Sequence, residues 1–192
     1  MQEKWGENLN VTYKSFVLEQ ANSRREPEWK VWLDRYFPSR DLPPLEAAKC
    51  AAMQGEEAFR AYNIRLFRAC HQEKLEITNQ LVLYELAKEV GLDAACFSAD
   101  LRSKRARELV AQEHEEAVAR YGLFGVPTII FEEREAVFVK LEPGDWEGTD
   151  DEALFRDIAK MATRYPKLLE LKKPDSEVLA RKSAEKYAKR QA

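Results

Sequence analysis

Gly122-Leu123-Phe124-Gly125-Val126-Pro127-Thr128-Ile129-Ile130-Phe131 is the stretch on which the reading of this chain turns. Gly122 follows the charged, amphipathic run Ser103–Tyr121 and stops it as a helix, because glycine enters the left-handed conformation of a helix end without steric cost. Pro127 has no N–H to offer a ladder, so at the start of a strand it ends pairing or sets a turn. Thr128 to Phe131 is β-branched and aromatic, which predicts a buried strand. A proline that enters such a strand from a tight turn is a common position for a cis peptide bond.

Working outward, Phe131 is followed by the polar turn Glu132–Glu135 and the apolar run Ala136–Leu141. Two apolar runs joined by four polar residues predict an antiparallel hairpin. Thr149-Asp150-Asp151-Glu152 is a capping box that opens a helix to about Ala162. Upstream, the spacing predicts helices over Leu45–Met53, Glu56–His71, Asn79–Val90 (capped by Thr78 and stopped by Gly91) and Asp93–Leu101. Leu9 to Leu18 alternates, with Leu9, Val11, Tyr13 and Val17 on one face and Phe16 and Leu18 on the other, and predicts a strand covered on both sides. Gln20–Pro44 is polar, aromatic and punctuated by prolines, with a short helix expected around Glu28–Tyr36. Gln2–Glu7 reads as the last turn of a helix that ends at Gly6. The order is strand, helical block, hairpin and helix: an α/β arrangement with a large helical insertion. Residues 1–44 and 122–170 form its α/β part, 45–121 the insertion and 171–192 a charged tail.

Composition narrows the function. The chain has 192 residues, 45% hydrophobic and 34% charged, enough for a sizeable core. A net charge of −3 argues against nucleic acid as the main partner. No stretch approaches the roughly 18 apolar residues of a membrane span, and Met-Gln-Glu-Lys-Trp lacks the apolar core of a signal peptide. The cysteines Cys50, Cys70 and Cys96 are odd in number and follow no framework spacing, which fits a reducing, cytoplasmic setting.

The run Ala117-Val118-Ala119-Arg120-Tyr121-Gly122-Leu123-Phe124-Gly125-Val126-Pro127-Thr128 resembles the helix and cis-proline loop of the DsbA-like thioredoxin family. Within it the resemblance is to the FrnE-type disulfide oxidoreductases and to their relatives, the 2-hydroxychromene-2-carboxylate isomerase and kappa glutathione transferase branch. Val11-Thr12-Tyr13-Lys14-Ser15-Phe16-Val17-Leu18 resembles the family's second strand. Leu66–Ala69, Leu75–Ile77 and Leu83–Leu92 resemble its insertion helices. The resemblance runs from Asn10 to about Met161 and implies a thioredoxin-like fold whose first strand is missing from this sequence.

It further implies a DsbA-family thiol-disulfide oxidoreductase. The family's chemistry needs a Cys-x-x-Cys at a helix N-terminus, where the thiol acidifies and a second cysteine resolves the mixed disulfide. No such motif occurs here, so the resemblance places it upstream of Met1 in a longer chain and leaves no catalytic residue within these 192. Cys50, Cys70 and Cys96 are expected well inside helices, as small buried hydrophobes. What the resemblance does place here is a substrate loop: Val126, whose backbone pairs with an extended substrate, Pro127, which shapes the loop, and Thr128. The expected partner is a thiol or disulfide peptide, with glutathione as the alternative co-substrate if the missing motif carries serine and the protein is an isomerase or transferase. A non-catalytic interaction module displaying a groove at Trp29, Trp32 and the Phe131 edge is the third reading. No metal or other cofactor is implied, and a second copy could supply the missing strand in a homodimer.

The remaining constellations read as structure. His114-Glu115 begins like a zinc-protease helix, but Val118 stands where the second histidine belongs. Glu113, Glu115 and Glu116 read as the wet face of their helix. Trp29, Trp32, Tyr36 and Phe37 read as packing for an irregular segment. Arg181, Lys182, Lys186, Lys189 and Arg190 read as a solvated C-terminal tail.

Overall fold

Leu42-Pro43-Pro44-Leu45-Glu46-Ala47-Ala48-Lys49-Cys50-Ala51-Ala52-Met53 forms the helix around which the others assemble. Its small residues Ala47, Ala48, Cys50 and Ala51 are all buried, so neighbouring helices can approach its backbone closely. The computed structural model describes residues 9–141 and 151–172. The chain divides into two units, Met1–Glu147 and Gly148–Ala192. The first holds α1 (Leu18–Ala21), α2 (Leu42–Met53), α3 (Glu56–His71), α4 (Gln80–Glu89), α5 (Ala94–Arg102), α6 (Arg105–Tyr121), β1 (Thr128–Phe131) and β2 (Glu135–Phe138). The second holds α7 (Asp151–Arg164), whose apolar residues Leu154, Phe155, Ile158 and Met161 recur at helical spacing.

α2 packs against α3, α4, α5 and α6. One core joins Cys50 and Ala51 of α2 to Tyr62 and Leu66 of α3, Leu83 and Leu86 of α4 and Phe97 of α5. Tyr62 is fully buried, and its hydroxyl donates to the Leu83 carbonyl at 3.1 Å, so the ring is buried without an orphaned polar group. A second core gathers Val17, Val31, Trp32, Leu42, Val110 and Ala111. The helix ends follow their local chemistry. Asn79 caps α4 by accepting from the Leu81 N–H, so the cap is Asn79 rather than Thr78. Gly91 (φ 77°) closes α4, with the Gly91 and Leu92 N–H groups donating back to Lys88 and Ala87.

The insertion helices lie close to their expected limits, and β1 pairs antiparallel with β2 in the register Thr128–Phe138 to Phe131–Glu135. Two expected elements are absent. Leu9–Leu18 is not a strand: residues 9–17 run outside regular structure and α1 begins at Leu18. A strand exists only as part of a ladder, and the amides of Ser15 and Val17 go to side chains of α6 instead. Glu28–Tyr36 is not a helix but a series of turns. Asp34 accepts from the Tyr36 and Phe37 amides and from Trp29 Nε1, an arrangement that competes with helical hydrogen bonding. The expected helix turn at Gln2–Glu7, the residues Thr149 and Asp150 of the capping box, and the basic tail lie outside the described residues. Among the described residues no helix is long and apolar enough to cross a membrane.

Candidate functional site

α6 delivers the chain to the site. Its C-cap Gly122 is left-handed (φ 64°, ψ 31°), where a β-carbon would be strained, and the Gly122 and Leu123 N–H groups donate to the Val118 and Ala117 carbonyls. The loop then reaches Gly125-Val126-Pro127, and the Val126–Pro127 peptide bond is cis. Thr128 Oγ1 donates to the Gly125 carbonyl at 2.7 Å and ties the loop to the first residue of β1. Val139 N–H donates to the Pro127 carbonyl at 3.0 Å, so pairing with the β2 side continues past the proline.

Antiparallel alternation then fixes which groups face away from β2. With Pro127, Ile129 and Phe131 bonded inward, Thr128 and Ile130 point their N–H and C=O groups to the outer edge. Val126, across the cis bond, is 42% exposed, and among the described residues its N–H and C=O have no hydrogen-bond partner. The outer edge therefore presents a row of main-chain donors and acceptors beginning next to the cis-proline. Gly125 is needed for the shape of the loop: a β-carbon there would stand 3.2 Å from Phe138 Cε2. Without it the Phe138 ring lies over the loop and meets Phe124 at 5.2 Å, and both rings remain exposed. Val126, Pro127 and Thr128, the three expected loop residues, thus lead into β1 with Pro127 bonded to the β2 side and Thr128 facing the open edge, beside two aromatic rings that sequence reasoning did not single out.

No thiol accompanies them. Cys50, Cys70 and Cys96 sit on α2, α3 and α5. Burial pushes the Cys50 thiol up to about 12, with Asp100 and Glu46 adding to the effect. Cys96 corrects the expectation that every cysteine lies inside a helix and is buried: it is exposed and occupies the third residue of α5. A helix start normally favours a thiolate, but the charge of the capping Asp93 and its hydrogen bond raise this thiol instead. Cys70 is half-buried in the last turn of α3.

A second polar cluster was missed. Glu113 is not on a wet face: it accepts from Lys49 Nζ at 2.6 Å and from the Ser15 amide at 2.6 Å. His114 is 4% exposed, lies against Phe16 and Trp32, and accepts from the Val17 amide at 3.1 Å. The signal for His114 was available, since it falls on the buried stripe Ala106, Val110, Ala111 and Ala117 of α6. Trp32 is a core residue, Trp29 is half-buried against Phe37 and Tyr36 is 97% exposed, so these aromatics do not line a common groove. Among the described residues no group of histidine, cysteine or acidic side chains is placed to hold a metal.

A family model, the DSBA-like thioredoxin domain, matches residues 1–160. Among curated proteins, "Uncharacterized protein YwbO" of Bacillus subtilis (strain 168) is 36% identical over 69 residues, which cover 36% of this chain and 34% of that protein. The match thus spans about a third of that relative's length. With the family match covering most of the chain, from its first residue through the helical block and the cis-proline loop, this protein belongs to the DSBA-like thioredoxin domain family.

Proposed function

We propose that this chain is the substrate-holding part of a thiol-disulfide oxidoreductase, and that its cis-proline loop receives an extended thiol or disulfide peptide. The observation that carries the reading is the edge of open main-chain groups at Val126, Thr128 and Ile130 beside the Val126–Pro127 bond. Such an edge recognises any extended chain through main-chain hydrogen bonds, with side chains adding selectivity. Val126 would donate to and accept from the substrate residue next to the reacting sulfur. Pro127, lacking an N–H, leaves the loop free of a competing donor at that point. Thr128, tied to Gly125, holds the edge in place. Phe124 and Phe138 would receive an apolar side chain of the substrate.

The redox step itself is disulfide exchange: a thiolate attacks a substrate sulfur, the substrate S–S bond breaks, and a second cysteine displaces the reduced substrate. The Cys-x-x-Cys for that step is not among these 192 residues. Insulin reduction tests the division of labour. The 192-residue chain is expected to work at background, whereas the same domain preceded by a strand and a Cys-x-x-Cys helix, about 25–40 residues in all, is expected to be active. Activity of the 192-residue chain that disappears on replacing Cys50, Cys70 or Cys96 by serine would move the chemistry into the helical block and overturn the proposal.

A further inference from the structure

The segment from Leu9 to Val17 is fastened to α6 by two side-chain acceptors of its amides and by the ion pairs of Lys14 with Glu113 and Glu116, and by no ladder. Glu113 Oε2 takes the Ser15 amide and His114 Nδ1 takes the Val17 amide. An imidazole nitrogen accepts a hydrogen bond only when it is unprotonated, so this contact requires neutral His114 with its proton on Nε2. The ring is 4% exposed, with the Phe16 ring centroid 4.6 Å away on the segment and the Trp32 centroid 5.4 Å away on the loop before α2. Burial, and then Lys30 of that loop, hold its pKa below the usual histidine range.

The charged groups on the elements packed around it are engaged elsewhere. Lys14 of the segment and Lys49 of α2 pair with Glu113, and Glu46 of α2 pairs with Arg107 of α6. An imidazolium at this position would therefore meet two aromatic rings, the Lys30 charge and the Val17 N–H that it no longer accepts. The same segment forms one wall of a cavity of about 410 Å³, which Asn10, Tyr13 and Lys14 line opposite Lys49 and Phe59.

We propose that His114 is an acid-sensitive latch: protonation removes the lone pair that holds Val17, and the Leu9–Val17 segment comes off α6 and opens the cavity it walls. The sign follows from linkage. The unfolded chain takes up the proton at the ordinary histidine pKa and the folded chain only at a lower one. Stability is therefore intact above the unfolded value, falls as pH drops from there through the folded value, and levels off below it. Asp41, which accepts from the Glu19 amide, also titrates on the acid side because burial raises its pKa, but it holds α1 and not Val17.

Amide hydrogen exchange on the full chain, corrected for intrinsic rates, separates the two. From about pH 7.5 to about pH 4.5, protection of the Val17 amide is expected to fall, by up to about tenfold per pH unit, between the ordinary histidine pKa and the lower His114 midpoint and to level off below it, while Leu83 in the helical core holds. In His114→Gln, whose side-chain carbonyl accepts without titrating, Val17 protection is expected to be flat. NMR titration of the His114 ring in the unaltered chain provides a readout that does not depend on the variant folding, and its midpoint is expected to coincide with the pH at which the fall in Val17 protection levels off. Val17 protection that is constant across the range, a fall of equal size in His114→Gln, or a ring midpoint away from the pH at which the fall levels off would each overturn the latch.

Discussion

The helices from Leu42 to Tyr121 and the hairpin that follows them bury their apolar residues to very different degrees. The helices share a continuous core in which Tyr62, Phe97, Leu83 and Leu86 are almost wholly enclosed. In the hairpin no residue of β1 or β2 is buried, the outer edge of β1 is open, and neither strand packs closely on a helix among the described residues. Phe124 is 70% exposed although it is one residue from the buried Gly125. The contrast places stability in the helical block and leaves the hairpin edge open, as the proposed pairing with an extended substrate requires.

Truncating the core should produce the largest effect. Phe97→Ala removes a fully buried ring packed on Tyr62 and is expected to cost about 3–5 kcal/mol. A chemical-denaturation series would check it, and a loss below about 1 kcal/mol would mean that the block is not the stabilising part. Next comes the link between the helices and the Leu9–Val17 segment. Glu113→Ala strands Lys49, whose side chain is 8% exposed, and leaves the Ser15 amide without its acceptor, so about 3 kcal/mol should be lost. Glu113→Gln, which keeps the acceptor, should lose less in the same melts.

The hairpin should respond more weakly in stability and more strongly in binding. Gly125→Ala puts a β-carbon 3.2 Å from the Phe138 ring. About 1 kcal/mol of stability is expected to go, since the ring is partly exposed and can give way, while affinity for an extended cysteine peptide should fall severalfold. Calorimetric titration would reveal a Gly125→Ala chain that binds as well as the original, which would count against Phe138 as part of the site. The smallest effect is a gain. The turn residues Glu132 and Glu133 both have positive φ (51° and 55°), a conformation glutamate adopts at some cost. Replacing them by Asn-Gly, the pair such turns favour, is expected to stabilise the hairpin by about 1 kcal/mol.

What the sequence made legible follows the same division. The helices could be read because their buried stripes recur at helical spacing and glycines stop α4 and α6. The loop could be read because Gly122, Pro127 and the apolar strand after it each demand a particular backbone. Leu9–Leu18 could not, since alternation also describes an extended segment whose amides are taken by side chains 97 and 98 residues away, a pairing that no local pattern records. Nor could the turns around Trp29–Phe37, where the tryptophan spacing imitates a helix but Asp34 captures the backbone amides. Cys96 was misplaced although the helix start moved by only one residue: Asp93 is the cap of α5 and not part of it, which leaves Cys96 in the first turn.

The most direct measurement is an amide-resolved NMR titration of the 192-residue chain with a short extended peptide containing one cysteine. The account predicts shifts and new exchange protection at Val126, Thr128 and Ile130, with ring signals of Phe124 and Phe138 following them and the amides of α2 to α5 unmoved. Binding that leaves Val126 and Thr128 unchanged, or that maps to the helical block, would contradict it.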